Sequence, residues 1–211
     1  MKNIDLRGLT CPEPVLRTKK LIDDQTVNSI AALVDSEVNV ENLARLARSH
    51  NLVFQKSKVD DHFKVEISRQ APEPEAKQTS QKLEDSFSLQ SGDKQKASDV
   101  IFITRDTFGQ GASEADHDFS NNLLNVFLQT VLTSGHKPRA ILLANSGVKI
   151  MDPDGPCAKV LNDFLASGVP VLGCGLCLDY YKLKEKVPVE QITNMFAICE
   201  YLFAAQKVLS P

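Results

Sequence analysis

Residues 70–97, QAPEPEAKQTSQKLEDSFSLQSGDKQKA, do not carry enough apolar surface to join a packed core. Leu83, Phe87 and Leu89 are the only large apolar side chains among them. Burying so few cannot offset the entropy of ordering the chain. The segment reads as a flexible linker, and it divides the sequence into residues 1–69 and 98–211, each long enough for a core of its own. Taken as flexible coil, the linker has a root-mean-square span of about 30 Å.

The first part alternates element types. Ile4 and Leu6 mark a short strand. Pro12 opens a helix over 12–23, a proline being well placed at a first helical position. SIAALVD (29–35) reads as a buried strand. Val40, Leu43, Ala44 and Ala47 recur at helical spacing, which predicts a helix over 37–49 with Ser36 as N-cap. LVFQKSKV and HFKVEIS close the part as a strand pair. The order is βαβαββ, an α/β two-layer sandwich with two helices on one face of a mixed sheet.

The second part also alternates. VIFIT (100–104), AILLA (140–144) and VPVLG (169–173) read as buried strands. Leu123, Val126, Phe127, Thr130 and Val131 mark one face of a long helix. Val160, Leu161, Phe164 and Leu165 mark a second. Met195, Phe196, Cys199, Leu202 and Phe203 lie on a last one. Strands alternating with helices predict a mainly parallel sheet.

The chemistry concentrates in cysteines. LRGLTCPEPVLRTKK places Cys11 between a strand and a helix. With Pro12 as the first helical residue, Cys11 is the N-cap, facing unpaired N–H groups and the positive end of the helix dipole, which favours thiolate. Pro12 and Pro14 stiffen the turn. Arg7, Arg17, Lys19 and Lys20 are placed to add positive potential, and Glu13 to oppose it. A buried structural cysteine is the alternative. Cys157 and Cys199 read as small apolar core residues. Cys174 and Cys177 form a Cys-x-x-Cys pair in VLGCGLCLDYY, at the carboxyl end of a strand, where α/β sites lie. A tight glycine turn there would expose the thiols and set one of them at a helix start. A thiol relay or redox pair, half a zinc site and a structural turn all remain open. Zinc needs further ligands, and His50, His62, His117 and His136 show no ligand spacing. Gly109 and Gly111, in ITRDTFGQGASEAD, sit between a strand and a helix, where an anion can bind at the helix N-terminus. A plain helix-entry loop explains them equally.

The net charge of −3 disfavours a broad nucleic-acid or anionic-membrane surface. No apolar run reaches the length of a signal peptide or a membrane span. Five cysteines without a regular framework argue against a secreted disulfide scaffold. A cytoplasmic protein without resident metal or cofactor is expected.

Cys11-Pro12-Glu13-Pro14, with Gly8 upstream and the βαβαββ order over residues 1–69, resembles the TusA (SirA-like) sulfur-carrier family. That resemblance implies that Cys11 carries sulfane sulfur as a transient persulfide. The second part resembles DsrE-like domains through DTFGQG, NSGVK (145–149), CGLCLDYY (174–181) and the ITNM run (192–195). The combination resembles the sulfurtransferase-like selenium metabolism family YedF, whose pattern has a small polar residue where this chain has Leu176. It implies sulfur or selenium handling, a persulfide or perselenide on cysteine, and protein partners such as a cysteine desulfurase or another donor or acceptor. It also allows a homo-oligomer through the second part. The residues themselves do not distinguish sulfur from selenium. A carrier with transferase character, relaying through Cys174 or Cys177, competes with a non-catalytic module that docks on sulfur- or selenium-metabolising enzymes. A thioredoxin-like reductase is disfavoured, since no thioredoxin-like first half precedes the pair.

Overall fold

The computed structural model describes residues 1–10, 12–69, 99–109 and 116–211. The chain divides into two compact units, Met1–Gly92 and Asp93–Pro211. The expected linker lies outside the described residues, as does Cys11.

The first unit runs β1 (Lys2–Asp5), α1 (Glu13–Asp23), β2 (Ser29–Val34), α2 (Glu37–Ser49), β3 (Val53–Val59) and β4 (His62–Ser68). The sheet order is β1-β2-β4-β3. The β1–β2 pair is parallel and the other pairs antiparallel. A parallel pair needs a crossover, and α1 supplies it. Helices α1 and α2 pack on each other and against the sheet. Val15, Ile22, Val40, Leu43 and Ala47 meet Ile30, Ala32, Val65 and Ile67 in the core. Each fully buried aliphatic side chain of this kind contributes about 1.5–3 kcal/mol. Ser36 caps α2 by accepting the Asn39 N–H at 3.3 Å.

The second unit runs β5 (Asp99–Ile103), α3 (His117–Thr133), β6 (Ala140–Leu143), a 3₁₀ segment (Asn145–Met151), α4 (Ala158–Ala166), β7 (Val171–Cys174) and α5 (Gly175–Tyr180). It ends with β8 (Ile192–Thr193), α6 (Met195–Phe203) and β9 (Lys207–Leu209). The five strands form a wholly parallel sheet in the order β8-β7-β6-β5-β9. All four residues of β6 are buried, as its continuous apolar run requires of a central strand. The short β8 and β9 escape a reading by periodicity because two and three residues carry none.

Helix α3 turns a different face to the core from the one its sequence marks. Ser120, Leu124 and Leu128 are buried, while Leu123 and Val126 are exposed. Two apolar stripes lie side by side on this helix, which packs on α4, and the stripe that carries Leu124 and Leu128 is the buried one. Helix α6 likewise buries Ile198 and Tyr201 and leaves Met195 and Phe203 exposed. Cys157 is fully buried as expected, whereas Cys199 is only half-buried. No helix among the described residues is long and apolar enough to cross a membrane.

Candidate functional site

In the first unit the turn that leads to position 11 is held by two features. Gly8 adopts the left-handed conformation (φ +72°), which glycine alone enters without steric cost. Its N–H donates to the Asp35 carboxylate at 2.7 Å, tying the turn after β1 to the end of β2. Helix α1 begins one residue later than expected: Pro12 is the N-cap and Glu13 the first helical residue. Pro14 is buried beneath the first turn. The expected positive potential is largely paired off. Arg7 donates to Asp5 at 2.6 Å, Arg17 to Glu13 at 2.8 Å and Lys19 to Asp23 at 2.8 Å. The Glu13 charge is thereby tied to Arg17.

In the second unit the carboxyl ends of β5, β6 and β7 bring the chemistry together, the expected place for a site in a parallel sheet. Strand β7 runs straight into α5 without an intervening turn: Cys174 ends the strand and is the N-cap, and Gly175 opens the helix. This corrects the expectation that both thiols are exposed. Cys174 is buried, 2% exposed. Burial pushes its thiol up to about 11, and the N–H groups of Cys177 and Leu176, which favour charge there, do not overcome it. The helix start is present, but desolvation wins. Cys177, one helical turn on, is partly exposed. Its sulfur accepts the backbone N–H of Asn145 at 3.1 Å.

That N–H is aimed by local geometry. Asn145 has φ +50°, which reverses the chain as β6 ends. Asparagine tolerates this conformation better than most side chains. Gly147 follows, packed so closely that a Cβ would strike the Ile103 carbonyl oxygen at the end of β5. The NSGV stretch thus lies flat across the strand ends. Gly173 has an equivalent reason, because a Cβ there would strike the Met151 sulfur.

Beside Asn145 opens a pocket of about 350 Å³ lined by Arg105, Asp106, Thr107, His117, Ser120, Asn145 and Ser146. Asp106 organises it. Its carboxylate oxygen Oδ2 lies 3.2 Å from His117 Nε2 and 3.3 Å from Lys149 Nζ. Its backbone carbonyl accepts from Asn121 Nδ2 at 2.5 Å. Burial pushes the carboxyl up, but hydrogen bonds from His117, Ser146 and Lys149 outweigh it and hold it below the ordinary carboxylate range. Lys149 also lies over the Tyr181 ring, 5.1 Å from its centroid, linking the cluster to the end of α5. The sequence signals for this cluster were the polar residues flanking buried strands, which periodicity leaves unassigned. Of the glycines expected to bind an anion, Gly109 is left-handed (φ +75°) and exposed, and Gly111 lies outside the described residues. Among the described residues no group of three or more His, Cys, Asp or Glu side chains is arranged to hold a metal ion.

Comparison with known proteins adds the following. Residues 2–69 match the family model described as Sulfurtransferase TusA. The SirA-like protein from Desulfitobacterium hafniense is 28% identical over 34% of this chain and 100% of that one, with a TM-score of 0.31. The ychN protein from E. coli is 17% identical over 55% of this chain and 100% of that one, TM-score 0.38. A conserved protein of unknown function from Bacteroides thetaiotaomicron is 18% identical over 54% of this chain and 95% of that one, TM-score 0.38. No curated protein matches. Residues 2–69, one part of the chain, are a TusA-like sulfurtransferase domain.

Proposed function

We propose that the protein carries sulfane sulfur as a cysteine persulfide, with Cys11 as the receiving thiol and Cys177 as a second station. The match of residues 2–69 to the sulfurtransferase model supports the first half of this reading. The observation that carries the second half is the Asn145 N–H on the Cys177 sulfur, beside a polar pocket at the strand ends. A partly exposed thiol with a fixed donor can attack a persulfide, and the donor stabilises charge on that sulfur as it forms. Cys174, buried and pushed up to about 11, serves as a packed neighbour of Cys177 rather than as the attacking group.

The transfer balances without a further reagent. The Cys177 thiolate attacks the outer sulfur of the Cys11 persulfide, the sulfur–sulfur bond breaks, and the Cys11 thiolate leaves with the electron pair. Joining the thiols in one chain raises their effective concentration to the millimolar order. Within this reading the second unit is DsrE-like and the whole chain of the YedF kind, carrying sulfur or, through the same soft thiolate, selenium. A cysteine desulfurase is the donor class. Incubation with such an enzyme and cysteine, followed by mass spectrometry of intact peptides, tests it. One added sulfur on the Cys11 peptide is expected, and none on that peptide contradicts the carrier role.

A further inference from the structure

We propose that the pocket beside Cys177 binds the carboxylate of a low-molecular-weight persulfide, which exchanges sulfur with Cys177 directly, without passing through Cys11. This rests on the reading of Cys177 as a sulfur-handling thiol and adds the chemical class of its small-molecule substrate.

The size comes first. About 350 Å³ lies at the low end of pockets that enclose small molecules, and suits a ligand of a few heavy atoms beyond its sulfur pair. The charge comes next. Arg105 lines the pocket, is exposed, and has no ion-pair partner among the described residues. Asp106 is the acidic residue in the lining, and its charge is already taken up by His117, Ser146 and Lys149. Asp118, 3.6 Å from His117 Nδ1, is fully exposed and points its charge into water. A guanidinium without an ion-pair partner among the described residues, beside the hydroxyls of Thr107 and Ser120, is a fork for a carboxylate. Ser120 stands in the first turn of the 17-residue α3, whose positive end faces the same space.

Asn145 both lines the pocket and donates its N–H to the Cys177 sulfur, so the thiol adjoins a residue of the pocket wall, and the proposal places the ligand's sulfur on that side. In the exchange the Cys177 thiolate attacks the outer sulfur of R–S–SH. The sulfur–sulfur bond breaks, the R–S⁻ group leaves with the electron pair, and the proton of the outer sulfur is shared out to it or to solvent. No outside oxidant or reductant is needed.

The test uses the full chain carrying Cys11→Ser, so that sulfur reaches Cys177 only directly. Two donors of similar size are compared, the persulfides of mercaptopropionate and of mercaptoethanol, and loading of the Cys177 peptide is timed by mass spectrometry. The carboxylate donor should load Cys177 about tenfold faster at low donor concentration, the effect of one charge-assisted hydrogen bond. Arg105→Ala should bring the ratio of the two rates close to one, and Arg105→Lys should recover part of it. Arg105 is exposed, so neither change threatens folding. A ratio near one in the starting chain, or a ratio that survives Arg105→Ala, overturns the proposal and leaves Cys177 as a sulfur station. Loading from Cys11 in the native chain, with none from either small donor, overturns the pocket's role alone. Absence of sulfur on Cys177 by every route overturns both.

Discussion

The N–H of Asn145 meets the sulfur of Cys177 at 3.1 Å, joining the carboxyl ends of β6 and β7 across 32 residues of chain. Backbone N–H groups reach both sulfurs of the pair, and burial distinguishes them: Cys177 is partly open to solvent, whereas Cys174 is 2% exposed.

The pair should therefore react unequally. Iodoacetamide at about pH 8 should label Cys177 at least about tenfold faster than Cys174, whose thiol is pushed up to about 11 by burial. Cys157, also pushed up to about 11 and fully buried, should be as slow as Cys174. Peptide mapping after short exposures gives the order directly. Equal labelling of Cys174 and Cys177 would contradict the burial difference.

Asn145→Val should lose on two counts. A β-branched side chain at φ +50° costs about 1–2 kcal/mol, measurable as a shift in the urea midpoint. The displaced N–H should also slow alkylation of Cys177. Asn145→Gly, which enters the same conformation freely, should keep the alkylation rate. A valine variant with native stability and native thiol reactivity would remove the geometric argument.

Asp106→Asn tests the cluster through pH. The Asp106 carboxyl is held low in the folded chain, so its contribution is present above the unfolded value of 3.8 and is lost as pH falls through the lower folded value. The variant should be about 1–3 kcal/mol less stable at neutral pH, where a charge-assisted network is broken. That gap should narrow only below pH 3.8. A gap that is constant across the acid range would mean that the ionised carboxylate contributes nothing.

Gly147→Ala should destabilise the second unit by about 1–3 kcal/mol, since the added Cβ meets the Ile103 carbonyl and the strand ends must part. Denaturant unfolding of the full chain, followed by a probe in that unit, would show it. Unchanged stability would mean that the close approach of β5 and the 3₁₀ segment is not required.

Sequence reasoning reached the alternation of strands and helices because buried strands and amphipathic helices each leave a period. It placed Ser36 as a cap and the Cys174/Cys177 pair at a strand end for the same local reasons. It did not find Asp106, His117, Asn145 and Lys149 as one cluster. They come from four points in the chain, and the parallel pairing of β5 and β6 makes them neighbours. It also expected exposure for Cys174, since spacing carries no information about desolvation. For α3, two apolar stripes satisfied the same period, and only packing chose between them.

The central claim is that sulfur received by the first unit reaches Cys177. The direct measurement uses a cysteine desulfurase charged with labelled sulfur as the donor, quenches at intervals, and maps label by peptide in the native chain and in Cys11→Ala. The account predicts label first on the Cys11 peptide, later on the Cys177 peptide, and none on Cys177 in Cys11→Ala with this protein donor. If Cys177 acquires label as quickly in Cys11→Ala as in the native chain, the two thiols act independently and the relay is wrong.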